Sequence, residues 1–221
     1  MVRDGIYYAL GMLLVAAMIG WLTHSLILAL LPILLAVFFL WFFRDPERSI
    51  PSEPGLVVSP ADGKVTDVSA TQLDGVQCTR ISIFLNVFDV HVNRAPITGV
   101  IKSAVYKKGQ FGNAMTESSS DDNEQNIVTM EGDGMTVVFK QIAGLLARRI
   151  IFNHKPGDTL VRGQRVGLIK FGSRTDVIFP RPAEIAVKIG DRVKGGSSIL
   201  ARTAVLQKPA SPKRENTGAF R

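Results

Sequence analysis

Three short stretches of the 221-residue chain hold side chains suited to chemistry. Ile169 to Pro180 reads IKFGSRTDVIFP, with Gly172-Ser173 set into an alternating apolar pattern that predicts an unbroken strand. A glycine there permits a kink or a close backbone approach, and the hydroxyl beside it is a nucleophile only if a base removes its proton. SPADGKV, Ser59 to Val65, puts Asp62 in a turn ahead of a strand. FDVHVNRAP, Phe88 to Pro96, follows the apolar run ISIFLNV, and alternation places Asp89, His91 and Asn93 on one face with Arg94 next to them. The other two histidines, His24 and His154, stand in an apolar segment and in the turn FNHKPGD. Neither accompanies a comparable cluster.

The elements that must position these groups are short. Runs such as LVVS, KVTDVSA, RISIFLN, VIKSAVY, NIVTME, GMTVVFKQIAG and RRIIFN alternate with Gly, Asp and Asn turns, which predicts a mostly β (α+β) soluble domain over residues 56–207. Residues 143–149 suggest one short helical turn. GDTLVRGQRVG from Gly157 and GDRVKGGSSIL from Gly190 repeat at an offset of 33 residues. This spacing is that of lipoyl- and biotinyl-like β-sandwich domains, and PRPAEIAVKIGDRVKGGSSIL resembles half of one. At the same offset Gly196-Ser197 corresponds to Gly163-Gln164, so that turn accepts other residues, whereas Gly172-Ser173 maps onto Val205-Leu206 and lies outside the repeat.

Ahead of the domain, Gly5 to Phe43 contains no charged residue. As one helix these 39 residues would extend roughly 60 Å, about twice a bilayer's hydrocarbon core, so residues 1–43 are expected to form a membrane hairpin of two helices turning at Thr23-His24-Ser25. Its length and the absence of a small-residue cleavage site argue against a signal peptide. Arg3, Arg44 and Arg48 flank it and place both ends on the cytoplasmic side of the cell (inner) membrane, with shallow insertion in one leaflet as the other geometry. Residues 44–55, with three prolines, are expected to be an extended linker, and residues 208–221 a disordered basic tail. The net charge of +7 suits an anionic lipid surface, and nucleic acid is not the expected partner. A single cysteine, Cys78, excludes an internal disulfide and a thiolate metal cluster, and no metal is expected.

Taken in order, FFRDPER, SPADGKV, FDVHVNRAP, Asn123-Glu124, and GQRVGLIKFGS followed by DVIFP resemble the phosphatidylserine decarboxylases, in particular their short membrane-attached form, from about Phe42 to Ala201. The resemblance implies self-cleavage between Gly172 and Ser173, with Ser173 becoming a pyruvoyl group that forms a Schiff base with the amine of phosphatidylserine. It implies a proenzyme cut into two chains, carbon dioxide and phosphatidylethanolamine as products, and a phospholipid bilayer as partner. In this reading His91 is the base, Asp62 its orienting carboxylate, and Arg94 and Arg174 candidates to hold the lipid phosphate or carboxylate. Long-form members carry a second histidine where this chain has Arg94, and they cut within Leu-Gly-Ser-Thr rather than Phe171-Gly172-Ser173-Arg174. An archaeal-type serine lipid is the nearest variant substrate, and a non-catalytic membrane-tethered lipoyl-like adaptor is the rival. Homo-oligomerisation stays open.

Overall fold

The computed structural model describes residues 2–112, 122–132, 134–145, 149–170 and 172–203. Phe171, the centre of the expected helical turn at 146–148, and the basic tail lie outside them. Two helices open the chain, α1 (Arg3–Thr23) and α2 (Leu26–Phe42). The turn between them falls at His24, with φ 49°, and the Thr23 hydroxyl donates to Ile19 O at 2.7 Å. They run antiparallel: Val2 N–H donates to Phe43 O at 3.0 Å, and apart from Phe42 at the end of α2 the buried positions are small or compact, namely Gly5, Ala9 and Ala16 on α1 and Ala29, Pro32 and Ala36 on α2. Small residues let the backbones approach where no aqueous driving force operates. The outer faces carry exposed Leu14, Trp21, Leu26, Ile27 and Leu31. α1 has mean hydropathy 1.8 and, at 21 residues, is long and apolar enough to cross a membrane; α2 is shorter, at 17 residues.

The rest is mostly β. The strands are β1 (Leu56–Val58), β2 (Gly63–Leu73), β3 (Val76–Leu85), β4 (Val92–Arg94), β5 (Gly99–Lys107), β6 (Gln125–Gly132) and β7 (Met135–Ala143). They continue with β8 (Ile150–Phe152), β9 (Thr159–Leu160), β10 (Arg165–Ile169), β11 (Ser173–Pro180), β12 (Ala183–Ile185), β13 (Arg192–Val193) and β14 (Ile199–Thr203). An eight-stranded sheet has the order β13-β2-β3-β11-β7-β6-β5-β9, and two three-stranded sheets, β1-β14-β12 and β4-β10-β8, accompany it. Ile81, Ile83, Phe139, Val177 and Phe179 of the large sheet share one core with Val57, Leu200, Ala95 and Val166 from the small ones. The apolar alternation seen in the sequence is the burial of this one face.

The 33-residue repeat has a second half that the sequence hides. Gly157 and Gly190 adopt φ 94° and 100°, and Gly163 and Gly196 adopt 77° and 79°. Their partners repeat too, at an offset of 36 residues. Gly190 N–H donates to Val65 O and Gly157 N–H to Ile101 O, both at 2.8 Å. Gly196 N–H donates to Ser59 O at 2.7 Å and Gly163 N–H to Ala95 O at 2.8 Å. Thus β1, β2, β13 and β14 form one unit and β4, β5, β9 and β10 its counterpart, with SPADG and APITG in equivalent turns. Ile50 packs where the Cβ atoms of both Gly163 and Gly196 would lie, at the meeting point of the two units.

Candidate active site

Gly172-Ser173 does not interrupt a strand, as the alternation suggested; it joins two. β10 ends at Ile169 in a small sheet, and β11 begins at Ser173 in the fourth position of the large one. The change of sheet requires a sharp bend, and Gly172 supplies it with φ 58°, a conformation that costs a residue bearing Cβ about 1–2 kcal/mol. Ser173 is fully buried and in register with Leu85 of β3 and Ala143 of β7. Asn123 fixes the latter neighbour, donating to Ala143 O at 2.7 Å while clasping Gly112 through N–H and C=O, each at 3.0 Å. The Ser173 Oγ itself has no hydrogen-bond partner among the described residues.

His91 approaches from β10. Its carbonyl accepts from Ile169 N–H at 3.3 Å, and Val92 pairs with Leu168. Two residues on, Asn93 Oδ1 accepts from Gln141 Nε2 at 2.8 Å, and Gln141 stands in register with Thr175. From this bridge between sheets, stepping back from Asn93 to His91 and from Thr175 to Ser173 leads toward the same β10–β11 bend. The His91 ring is 2% exposed, and its Nδ1 meets Asp89 O at 2.9 Å. Its Nε2 is buried without a partner among the described residues, as are Asn93 Nδ2 and Thr175 Oγ1. Unpaired polar atoms are costly in an interior and concentrate where chemistry uses them. Burial lowers the imidazole pKa to about 4; the Asp89 carbonyl and carboxylate oppose this, and the Arg44 guanidinium adds to it. His91 is therefore neutral at pH 7 and free to accept a proton at Nε2.

The relay expected between His91 and Asp62 is not built. Asp62 accepts from Arg48 Nη2 at 2.8 and 3.0 Å and from Gly195 N–H at 2.8 Å. Its counterpart in the repeat, Thr98, does the same turn-capping, accepting from Arg162 N–H at 3.0 Å. The groups beside the His91 imidazole belong to Asp89, whose carboxylate also caps Asn86 N–H at 2.9 Å and pairs with Arg192.

Arg94 and Arg174 are both turned inward. Arg94 pairs with Asp45 at 2.9 Å and donates to Gly163 O at 3.0 Å. Arg174 alternates with Ser173 along β11 and so faces the opposite side of the sheet, gripping the buried Asp176 at 2.6 and 3.1 Å and Ser82 Oγ at 2.8 Å. His154 lies near the surface, 3.4 Å from Asp158. Among the described residues no three His, Cys, Asp or Glu side chains are grouped to hold a metal ion.

Residues 44–55 have little regular structure, as proline predicts, yet Arg44, Asp45 and Arg48 are docked by hydrogen bonds and ion pairs. Arg44 donates to Phe88 O at 2.6 Å, Asp45 holds Arg94 and Arg165, and Arg48 holds Asp62. The segment thereby ties the SPADGKV, FDVHVNRAP and GQRVG stretches to the base of the hairpin. That base is part of the site as well: Phe42 lies against the His91 ring with centroids 4.4 Å apart, and Lys170 Nζ contacts Asp4 Oδ2 at 2.8 Å.

A family model described as phosphatidylserine decarboxylase matches residues 35–201. A protein of Solibacter usitatus is 58% identical over 91% of this chain and 96% of its own length. Proteins of Solidesulfovibrio magneticus and Desulfotalea psychrophila are 44% and 40% identical, over 91% and 90% of this chain and 95% of their own lengths. All three are named phosphatidylserine decarboxylase proenzyme.

Proposed function

The chain belongs to the phosphatidylserine decarboxylase family, and from that premise we infer that it is a proenzyme that cuts itself between Gly172 and Ser173 and converts phosphatidylserine to phosphatidylethanolamine and carbon dioxide. The observation that carries the reading is the Ser173 hydroxyl: fully buried, unpartnered, and preceded by a residue with positive φ at a change of sheet.

The residues suit the making of a pyruvoyl group from Ser173. As Ser173 Oγ attacks the Gly172 carbonyl carbon, neutral His91 takes the hydroxyl proton on Nε2. The Asp89 carbonyl at Nδ1 and the Asp89 carboxylate stabilise the imidazolium until it passes the proton to the Ser173 nitrogen as the Gly172–Ser173 C–N bond breaks, leaving an ester. Elimination of the Gly172 carboxylate gives dehydroalanine, whose hydrolysis releases ammonia and leaves the pyruvoyl group. A pyruvoyl carbonyl supplies the electron sink for decarboxylation. After cutting, His91, once it has taken up a proton again, would be the donor placed to return one to the substrate carbon. The buried setting excludes bulk water from this exchange. Asp62 supports the site through Arg48, and Arg94 supports it through Asp45.

The apolar hairpin keeps the enzyme at the bilayer that holds its substrate, and the flanking Arg3, Arg44 and Arg48 favour a catalytic domain on the cytoplasmic side. The adaptor reading lacks a use for the buried Ser173 and His91 and is not favoured by the relatives' names.

Intact-mass spectrometry of purified protein tests the proposal. Two fragments of 172 and 49 residues are expected, the second being the remainder of 221, and the smaller lighter by one ammonia than a chain beginning with serine. One uncut chain in an active preparation would refute the mechanism. A cut at Gly196-Ser197 would move the pyruvoyl group to the repeat turn.

A further inference from the structure

We propose that Phe42, the last residue of α2, is a positioning residue for His91, so that the base of the apolar hairpin works as a wall of the active site in addition to any anchoring role. The proposal rests on the reading of His91 as the base for Ser173.

Phe42 is fully buried and Phe43 2% exposed, whereas most large side chains of the helices are open to their surroundings. Both pack with Leu168 of β10, and with Val87 and Ile151 of the catalytic domain. The 4.4 Å centroid separation and 34° interplanar angle put the Phe42 ring over the imidazole face. With one face covered and Nδ1 held by Asp89 O, the ring cannot turn without opening the packing, and Nε2 keeps one direction. An imidazole free to rotate would present Nε2 to Ser173 only part of the time. The lost orientation is a term that catalysis is sensitive to.

The covering ring also keeps water from the imidazole. The charged groups that face it are the Asp89 carboxylate, itself paired with Arg192, and the Arg44 guanidinium, which reaches Phe88 O and lies 4.3 Å over the Trp41 ring. Phe42→Ala removes none of these groups, so a change in titration at His91 is expected to read the Phe42 contact.

The test uses the full chain in detergent micelles with Ser173→Ala, which holds it uncut, and with His24→Gln and His154→Gln, which leave His91 the only histidine. Its imidazole carbons are followed by NMR against pH. The parent should titrate near 4, and Phe42→Ala should move the midpoint up by at least about one pH unit toward the ordinary 6.5. Phe42→Tyr, which keeps the ring, should stay with the parent. In the Ser173 chain, Phe42→Ala should slow conversion to two fragments about tenfold or more and raise the pH of its acid limb, with Phe42→Tyr restoring both. Leu31→Ala, on the outer face of α2, should change neither. If Phe42→Ala does not fold, Phe42→Leu gives the same comparison. An unmoved His91 titration in the folded variant overturns the proposal. A moved titration with normal cutting overturns instead the role of His91 as base, so the two failures are distinguishable.

Discussion

Asp4, in the first turn of α1, holds Lys170, two residues ahead of Gly172, by a 2.8 Å contact between Oδ2 and Nζ. The ammonium also reaches Tyr8 OH at 3.3 Å and lies 5.3 and 5.6 Å from the Tyr8 and Phe43 ring centroids. The first turn of α1 thus holds one flank of the Gly172-Ser173 bond proposed to be cut. With Asp4 35% exposed beside a largely buried Lys170, the pair contributes about 1 kcal/mol. Asp4→Asn is therefore expected to slow self-cutting by about fivefold or less, and Asp4→Lys, which repels Lys170, by more. Pulse-chase labelling of precursor and fragments measures both, and equal rates for the two variants would deny the pair any part in maturation.

His91 makes stability depend on pH in a defined window. Its folded pKa of about 4 lies below the ordinary 6.5, so on acidification the unfolded chain takes up the proton first. Stability from this group is complete above 6.5, declines as pH falls, and is lost by about 4, the interval corresponding to roughly 3 kcal/mol. In the uncut Ser173→Ala chain, denaturation at pH 7 and pH 4.5 should show a larger loss with His91 than with His91→Gln. Identical losses would mean that the imidazole is not buried neutral.

The Arg174–Asp176 pair is expected to govern stability rather than substrate affinity. Asp176 is fully buried, and removing its partner leaves an uncompensated charge, at a cost of about 3–5 kcal/mol. Arg174→Met should lower the denaturation midpoint sharply, and Arg174→Met with Asp176→Leu should recover much of the loss. A stable Arg174→Met enzyme with only a raised KM would assign Arg174 to the headgroup after all.

Leu14 and Leu31 are 73% and 66% exposed on the outer faces of the hairpin. An arginine at the bilayer centre costs about 2.5–3.5 kcal/mol on insertion scales. Leu14→Arg with Leu31→Arg should shift the protein from the carbonate-resistant membrane fraction to the soluble one while the hairpin base stays docked. Full retention in the membrane would place the attachment elsewhere.

The residues of the site were legible where residue type and spacing act locally. Gly172-Ser173 stood out because it falls outside the 33-residue repeat, and His91 because it follows an apolar strand. The 36-residue partner of that repeat was not legible, because SPADG and APITG share only a proline and a glycine; their common work is done by backbone groups of Ser59 and Ala95. Asp62 was expected to orient His91 and instead bonds Arg48 and Gly195, for a related reason: a carboxylate in an Asp-Gly turn reads alike whether it faces a histidine or caps the opposite turn at Gly195. Phe42 was counted with the membrane run, since apolarity alone does not tell a lipid neighbour from an imidazole. The docking of Arg44, Asp45 and Arg48 rests on partners 14 to 120 residues away and leaves no local pattern.

β11 lies between β3 and β7, β13 on β2, and β14 on β1, so every strand after Ser173 except β12 is laced to a strand before Gly172. The cut proposed between Gly172 and Ser173 would therefore leave two polypeptides that hold one shape. Before the cut, refolding is a search by one molecule for itself. Afterward it would be an encounter between two, dependent on concentration, with a 49-residue piece whose strands pair among themselves, within the described residues, only as β12 with β14. Maturation by that cut would give the enzyme its reactive group and in the same act make unfolding a one-way event, so the lifetime of the mature form would be set by how seldom the eight-stranded sheet opens rather than by the balance of folded and unfolded states.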